Sequence, residues 1–159
     1  MKNKKEIYLI LDNIRSTYNV GAILRTADGA GVSKVYLVGV TPAPTDKFNR
    51  ANSRIAKSAL GAEKSVPWES VKSLSSLIKK LKKQGVQIIA LEQDERGVNY
   101  KKFKPQWPCV LILGEETEGI PKNILKLCDE IIEIPMKGSK ESLNVSVATG
   151  IVVFQFLSS

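Results

Sequence analysis

The chain has 159 residues, of which 43% are hydrophobic and 25% are charged, the composition of an ordinary globular domain. It contains no histidine, which excludes Ser-His-Asp and Cys-His catalysis, and two cysteines alone make a structural zinc site improbable. The formal net charge of +8 favours a polyanionic partner such as nucleic acid, although a Lys-rich surface also serves solubility.

The remaining bulk features point to one domain in a reducing compartment. No apolar run approaches the ~18–20 residues of a membrane span, and the apolar stretch near the start is too short for a signal-peptide core. Cys109 and Cys128 both lie in apolar surroundings, as small buried hydrophobes do. We therefore expect a cytoplasmic protein with no metal, folded as one domain over residues 1–159.

Short β-rich runs alternate with longer amphipathic ones, which predicts an α/β fold with a mainly parallel sheet flanked by helices. Strands are predicted at Ile7–Leu11, Lys34–Val40, Val66–Trp68, Gln87–Leu91, Val110–Leu113 and Glu130–Ile134. Helices are predicted at Val20–Ala30, Ser70–Gln84 and Pro121–Leu127. The last segment, Leu143–Leu157, begins with the alternation of a strand but has the length and polar opening of a capped helix.

The first motif lies at the start of the first predicted helix. Asn19 stands where an N-cap is expected, and Gly21 allows another backbone to approach closely. A helix N-terminus suits a phosphate, and Arg25, which points away from the core, is near enough to add a planar clamp on a phosphate or carboxylate. Capping by Asn19 alone, with Arg25 as a solvated surface residue, is the simpler interpretation of this motif.

The second motif follows the predicted strand Val110–Leu113 and places three acids within four residues between Gly114 and Gly119. Ligands of open parallel sheets collect at the carboxyl ends of strands, so Glu116 is a candidate to bind a hydroxyl or to pair with Arg25. A solvent-facing acidic turn is the alternative. The glycine-rich fingerprints of dinucleotide and triphosphate sites are both missing.

The third motif places a hydroxyl and an amide, Ser142 and Asn144, at one turn soon after the predicted strand that ends at Ile134. Such uncharged hydrogen-bonding groups are suited to orienting a sugar hydroxyl or to capping a helix. This motif alone does not distinguish between these two uses.

Together and in this order, the motifs resemble the three signature motifs of the SpoU (TrmH-like) RNA ribose methyltransferases of the SPOUT class, with a match from Asn19 to Gly150. The resemblance implies a parallel sheet whose C-terminal part is threaded into a deep trefoil knot, an exception to the usual avoidance of knots. It also implies S-adenosylmethionine as cofactor, a homodimer, and methylation of a ribose 2′-hydroxyl in tRNA or rRNA. Because the chain looks like a catalytic domain without an appended RNA-binding domain, we prefer tRNA.

The resemblance also assigns roles to individual residues. The catalytic positions would be Asn19, Arg25, Glu116, Ser142 and Asn144. The cofactor-binding positions would be Leu91, Glu92, Gly114, Ile134, Met136, Ser142 and Leu143. The family proposal makes the arginine a proton acceptor, but arginine is normally charged. We favour Arg25 as a clamp on the adjacent phosphate that stabilises the developing alkoxide.

Three surfaces are assigned from the residues themselves. The candidate RNA contacts are cations expected in loops near the first motif, namely Arg15, Arg50, Arg54 and Lys57. The lysines of Lys79–Lys83 are interpreted as a solvated helix surface. The apolar end, Ile151–Leu157, is predicted to help build a dimer interface, with core packing inside one subunit as the alternative.

Three other functions compete with this interpretation. A knotted RNA-binding protein without catalysis is disfavoured because all five catalytic positions are intact. A Rossmann-like enzyme acting on a small nucleotide lacks its glycine fingerprint. Methylation of a tRNA base at guanine N1 belongs to another SPOUT branch, whereas the arginine of the first motif and the Ser-Leu-Asn of the third favour the ribose branch.

Overall fold

The computed structural model describes residues 4–159 and has the expected α/β architecture. The strands are β1 Ile7–Asp12, β2 Lys34–Val38, β3 Trp68–Val71, β4 Gln87–Leu91, β5 Val98–Asn99, β6 Cys109–Leu113 and β7 Glu130–Glu133. The helices are α1 Thr17–Ala30, α2 Ser53–Ala59, α3 Ala62–Ser65, α4 Leu74–Lys83, α5 Lys122–Leu125 and α6 Val145–Ser158. The strands form a seven-stranded sheet in the order β3-β2-β1-β6-β4-β7-β5, and each pairing is parallel.

Helices cover both faces of the sheet. Side chains alternate between the two faces along each strand, so one strand contributes residues to both cores. In β1, Leu9 and Leu11 belong to a core that α1, α2 and α6 cover, whereas Ile10 belongs to a second core under α4 and α5. A strand buried on both faces needs apolar residues at nearly every position. This requirement explains why the strands stand out in the sequence as continuous apolar runs.

The start of α4 differs from the sequence prediction. The helix was expected from Ser70, but Trp68–Val71 pairs with β2 as the edge strand β3. The helix begins only at Leu74, where the side chain of Ser73 caps it by accepting a hydrogen bond from the backbone N–H of Ser76. The helical pattern of residues 70–71 is overridden because this part of the chain pairs with β2. Local periodicity in a sequence carries no information about such a pairing.

The start of α1 also differs. Ser16 is the N-cap, and its Oγ accepts a hydrogen bond from the backbone N–H of Asn19 at 3.1 Å. The prediction that Asn19 caps the helix is therefore wrong: Asn19 is the third helical residue, and its side chain is free to make a tertiary contact. Arg54 and Lys57 lie on the short helix α2 and not in a loop.

The last segment, which was ambiguous between a strand and a capped helix, is the helix α6. Asn144 is its N-cap, and Asn144 Oδ1 accepts a hydrogen bond from the backbone N–H of Ser146 at 2.8 Å. The helix is apolar on several sides, since Val152, Val153 and Phe156 are buried. Val147 and Phe154, on the remaining side, are 51% and 50% exposed.

Two further features concern the helices and the thiols. Within residues 4–159, no helix has the length and apolarity needed to cross a membrane. Cys109 and Cys128 are unpaired, and burial raises their pKa to about 12 and about 11. Since the thiolate is the reactive form, both thiols are held in their inert state.

The parallel sheet gathers four loops at one edge. β1, β6, β4 and β7 are neighbours, so the segments that follow them leave from the same carboxyl edge of the sheet. These segments are residues 13–16, 114–121, 92–97 and 134–144. All three sequence motifs are adjacent to this edge.

Close packing of α1 on α2 depends on Gly21. A Cβ atom added at Gly21 would lie 2.5 Å from the carbonyl oxygen of Ile55 and would overlap Ser58 Oγ. Ser58 Oγ donates a hydrogen bond to the carbonyl oxygen of Tyr18 at 3.0 Å, which joins the two helices at the same level. The expected close backbone approach at Gly21 is thus confirmed.

Replacement of Gly21 by Ala should therefore lower the free energy of unfolding by about 1–3 kcal/mol, because backbone must move to admit the methyl group. Gly29→Ala is the matched control in the same helix: nothing lies within 4 Å of its added Cβ. That change should be neutral or stabilising by up to about 1 kcal/mol. Urea unfolding followed by circular dichroism measures both, and equal effects would contradict the packing described.

Candidate functional site

Each of the three motifs contributes one polar side chain, and the three side chains meet at the carboxyl edge of the sheet. Asn19 Nδ2 donates a hydrogen bond to Glu116 Oε1 at 3.1 Å, and Asn144 Nδ2 donates one to Asn19 Oδ1 at 3.2 Å. The two bonds join residues 97 and 125 positions apart in the chain. The three motifs therefore form one cluster in space.

Asn19 is the centre of this cluster. Its side chain is 7% exposed, so an amide group there must be hydrogen-bonded within the protein. The carboxylate of Glu116 accepts from its nitrogen, while the amide of Asn144 donates to its oxygen. Each amide nitrogen has a second N–H that these contacts do not use, which leaves a donor for a ligand.

Glu116 also acts at the start of α6. Its Oε1 accepts a long hydrogen bond, 3.4 Å, from the backbone N–H of Val145, the first residue of that helix. A carboxylate at a helix N-terminus is stabilised by the unpaired N–H groups and the helix dipole. The same side chain thus links α1, α6 and the loop after β6.

A cleft of about 440 Å³ lies beside the cluster, a size typical of small-molecule sites. Its walls come from the loops that follow β4, β6 and β7. All seven positions expected to bind the cofactor line it, namely Leu91, Glu92, Gly114, Ile134, Met136, Ser142 and Leu143. Glu116 lines the cleft as well, so the polar cluster is placed at its edge.

Two glycines allow the loop after β6 to fold tightly against this cleft. A Cβ at Gly114 would lie 2.9 Å from the backbone nitrogen of Ile120, and Gly119 has a φ of +67°. Glu92 Oε2 accepts a hydrogen bond from the N–H of Ile120 at 2.9 Å and would contact any Cβ at Gly119. Glu92 therefore holds this loop in place in addition to lining the cleft.

A smaller recess of about 160 Å³ adjoins the cleft and shares Glu115, Glu116, Thr117 and Val145 with it. Asn19 and Arg15 line this recess. Of the four cations proposed to contact RNA, Arg15 is the one beside the cluster. Arg50, Arg54 and Lys57 line neither space.

Arg25 is not part of the cluster within one subunit. It is exposed on α1 and lines neither the cleft nor the recess. Within residues 4–159, the guanidinium of Arg25 forms no ion pair with Glu116, whose carboxylate contacts Asn19 and Val145 instead. The pairing of Glu116 with Arg25 considered from the sequence does not occur.

The cleft is acidic although the chain as a whole is basic. Six carboxylates line it, from Glu92, Asp94, Glu115, Glu116, Glu118 and Glu133. Lys122 is the cation among its lining residues. Within residues 4–159 no three His, Cys, Asp or Glu side chains are grouped so that they could hold a metal ion. The lining thus favours a ligand with net positive charge.

Sequence reasoning missed two residues at this edge. Gln93 Nε2 donates a hydrogen bond to the carbonyl oxygen of Glu141 at 2.6 Å, which joins the loops after β4 and β7. Asp12, the last residue of β1, is 5% exposed, and burial raises the pKa of its carboxyl group. Asp12 could have been found from the sequence, because an acid that directly follows an apolar run is a candidate site residue. Gln93 could not, because its partner Glu141 is brought close only by the tertiary structure.

Comparison with known proteins now identifies the family. The model of the SpoU rRNA Methylase family matches residues 6–154. The chain belongs to the SpoU rRNA methylase family. The polar cluster, and the walls of the cleft that follow β6 and β7, are formed by segments on which the family resemblance was based.

Similar curated proteins include 23S rRNA (guanosine-2′-O-)-methyltransferases RlmB from two bacteria. The protein of Ralstonia nicotianae is 37% identical over 150 residues, which cover 94% of this chain and 57% of the relative. That of Pectobacterium atrosepticum is 38% identical over 147 residues, 92% of this chain and 57% of the relative. The chain thus spans little more than half the length of these relatives.

Similar solved structures confirm the fold. The A. aeolicus TrmH/SpoU tRNA modifying enzyme superposes with a TM-score of 0.84 at 32% identity, over 99% of this chain and 76% of that one. An AdoMet-bound rRNA methyltransferase from Sinorhizobium meliloti gives 0.85 at 31% identity, over 99% of this chain and 58% of that one.

A double-mutant cycle tests whether the cluster is energetically coupled. Asn19→Ala, Glu116→Ala and the double variant should show a coupling of about 0.5–3 kcal/mol in urea unfolding, because each single change removes the same hydrogen bond. Glu130, the first residue of β7 and outside the described hydrogen bonds of the cluster, supplies the control cycle with Asn19 and should give additive effects. Additivity in the first cycle as well would show that the contact contributes nothing to stability.

Proposed function

We propose that the chain is an S-adenosylmethionine-dependent RNA methyltransferase that acts on a ribose 2′-hydroxyl in the cytoplasm. The observation that carries this proposal is the polar cluster of Asn19, Glu116 and Asn144, at the edge of a cleft lined by every expected cofactor position. The names of the curated relatives, and a solved neighbour with AdoMet bound, support the same reaction.

The cleft suits S-adenosylmethionine in size and charge. The sulfonium and ammonium groups outweigh the carboxylate, so the molecule carries one net positive charge, and the acidic lining complements it. Leu91, Ile134 and Leu143 provide apolar walls for an adenine ring, with loop backbone groups beside them. Gly114 and Gly119 keep the loop clear of side chains at its tightest points.

When bound, S-adenosylmethionine supplies an already activated methyl group, so the protein has to position the acceptor and assist loss of its proton. Asn19 and Asn144 each offer a free N–H at the edge of the cleft, and Ser142 adds a hydroxyl there. Glu116 holds the amide of Asn19, which in turn accepts a hydrogen bond from the amide of Asn144. These groups are suited to orient a ribose hydroxyl toward the cleft.

Arg25 acts, in this proposal, as a clamp on a phosphate beside the target ribose. The side chain of Arg25 lies outside the cleft of its own subunit. It would therefore join a reaction site only when a second copy of the chain, or the RNA, is bound. The next residue, Thr26, faces Gly150 of α6, where a Cβ would lie 3.8 Å from its methyl group. A homodimer packed on the exposed apolar side of α6 would bring Arg25 close to the partner.

The curated relatives favour rRNA over the tRNA preferred from sequence. Those relatives are named for guanosine 2′-O-methylation of 23S rRNA, whereas one solved neighbour is named as a tRNA modifying enzyme. We propose a guanosine in 23S rRNA as the target, with tRNA as the second candidate. We further propose that the segment before α6 is threaded as a trefoil knot. The hydrogen bond that the carbonyl oxygen of Glu141 accepts from Gln93, in the loop after β4, supports this arrangement.

Calorimetric titration should give about one S-adenosylmethionine per subunit, and incubation with unmodified 23S rRNA should yield a 2′-O-methylated nucleoside by mass spectrometry. Arg25→Ala should retain cofactor affinity but lose about 100- to 1,000-fold in turnover, because charge stabilisation at the acceptor is removed. Lys83→Ala, which removes an exposed cation from α4, is the control and should stay active.

Two results would separate this proposal from its competitor. Cofactor binding without methyl transfer to 23S rRNA or tRNA would contradict catalysis on these RNAs. No cofactor binding by the folded protein would favour the RNA-binding protein without catalysis.

The dimer is tested by light scattering at micromolar concentration. The wild-type chain should have twice the mass of one subunit. Phe154→Asp should convert it to a monomer, because a charge would be buried against the apolar face of α6. Leu60→Asp places the same charge on a side chain that is 65% exposed elsewhere and should remain dimeric. A monomeric wild-type protein would contradict the proposed interface.

A further inference from the structure

The segment between β2 and α2 presents an aromatic ring to solvent. Phe48 is 66% exposed on a turn formed by residues 45–51, which we call the 45–51 turn. It lines neither the cleft nor the recess. Large apolar side chains are normally buried because their exposure to water is unfavourable. Phe48 is therefore accessible to a ligand of the protein.

The turn is ordered by its own hydrogen bonds. Asp46 Oδ1 accepts from the backbone N–H groups of Phe48 at 2.9 Å and Arg50 at 3.0 Å, and Asp46 Oδ2 accepts from Arg50 Nε at 2.8 Å. These bonds, with the backbone N–H of Arg50 foremost, lower the pKa of Asp46. The ends of the turn pair as an antiparallel bridge. Phe48 is thus displayed on a preformed support, which reduces the entropy cost of binding.

Cations surround this ring. Lys47 Nζ and Arg50 Cζ each lie 5.1 Å from the centroid of Phe48. Arg54 and Lys57 follow on the exposed side of α2. The one acid of the turn, Asp46, is occupied by Arg50. The patch therefore combines positive charge with an exposed aromatic ring, which together match a phosphate backbone with exposed bases.

The patch is also connected to the proposed reaction site. The 45–51 turn leads directly into α2, and α2 packs on α1 at Gly21. Gly21 is two residues from Asn19, the centre of the polar cluster. RNA held by the turn would continue along the helix that carries both Asn19 and Arg25.

We propose that the 45–51 turn binds single-stranded RNA, with Phe48 stacked on an unpaired base and Lys47, Arg54 and Lys57 against neighbouring phosphates. The inference rests on the proposed function for the identity of the RNA as a substrate. Duplex RNA keeps its base faces stacked and offers them to no side chain, so the occupant is an unpaired segment flanking the target nucleotide. The turn thereby gives the enzyme a preference for nucleotides in loops or at helix ends.

Fluorescence anisotropy with a labelled oligoadenylate of about 12 nucleotides measures the interaction, with a duplex of equal length for comparison. Phe48→Ala should weaken binding to the single strand about 5- to 100-fold and leave the weaker duplex binding unchanged. Phe48→Trp should retain the affinity, since the indole also stacks. Val98→Ala removes an exposed apolar side chain at the opposite sheet edge and should have no effect.

Three outcomes would overturn the inference. The first is unchanged single-strand affinity in Phe48→Ala, and the second is an equal loss for single strand and duplex, which would reduce the turn to a phosphate contact. The third is a changed oligomeric state of Phe48→Ala in light scattering, which would assign the turn to a subunit interface. Failure of the proposed function is distinguishable: cofactor titration would then be negative while the Phe48→Ala loss in RNA binding persists.

Discussion

The hydrogen bond between the Asn19 amide and the Glu116 carboxylate is the constraint on which the site depends. Asn19 is buried, and a buried amide without partners would cost about 1–3 kcal/mol. Satisfying it requires the loop after β6 and the N-cap residue Asn144 to stay in one arrangement. Because Glu116 also accepts from the first N–H of α6, the position of that helix is linked to the same carboxylate.

The parallel sheet makes this contact possible. β6 pairs with both β1 and β4, so residues near 13, 92 and 114 leave the sheet side by side although they are far apart in the chain. The cleft is the space between those departing loops. Tight packing at Gly114 and the bond from Ile120 to Glu92 then fix its wall. Site geometry is thus a consequence of strand order together with a few loop contacts.

The sequence predicted strands better than it predicted helix starts and side-chain partners. Five strands were located because burial on both faces requires continuous apolar runs. Ser16 and Asn19 are both good capping residues, so the sequence does not distinguish them. In the structure Ser16 caps the helix, and the side chain of Asn19 contacts Glu116 instead. The cofactor positions came from family resemblance, and local pattern carried no information about the cleft. The location of Arg25 outside it depends on three-dimensional packing.

The distribution of charge is suited to the two ligands proposed for this chain, which have opposite sign. Carboxylates concentrate in the cleft, while Arg15, Arg54 and Lys57 lie outside it. A cationic cofactor is therefore attracted into the cleft, and phosphates are repelled from it. An RNA strand held by the outer cations would have its ribose, rather than its phosphates, directed to the acidic edge. The division of charge would then favour reaction at a sugar hydroxyl before any base is recognised.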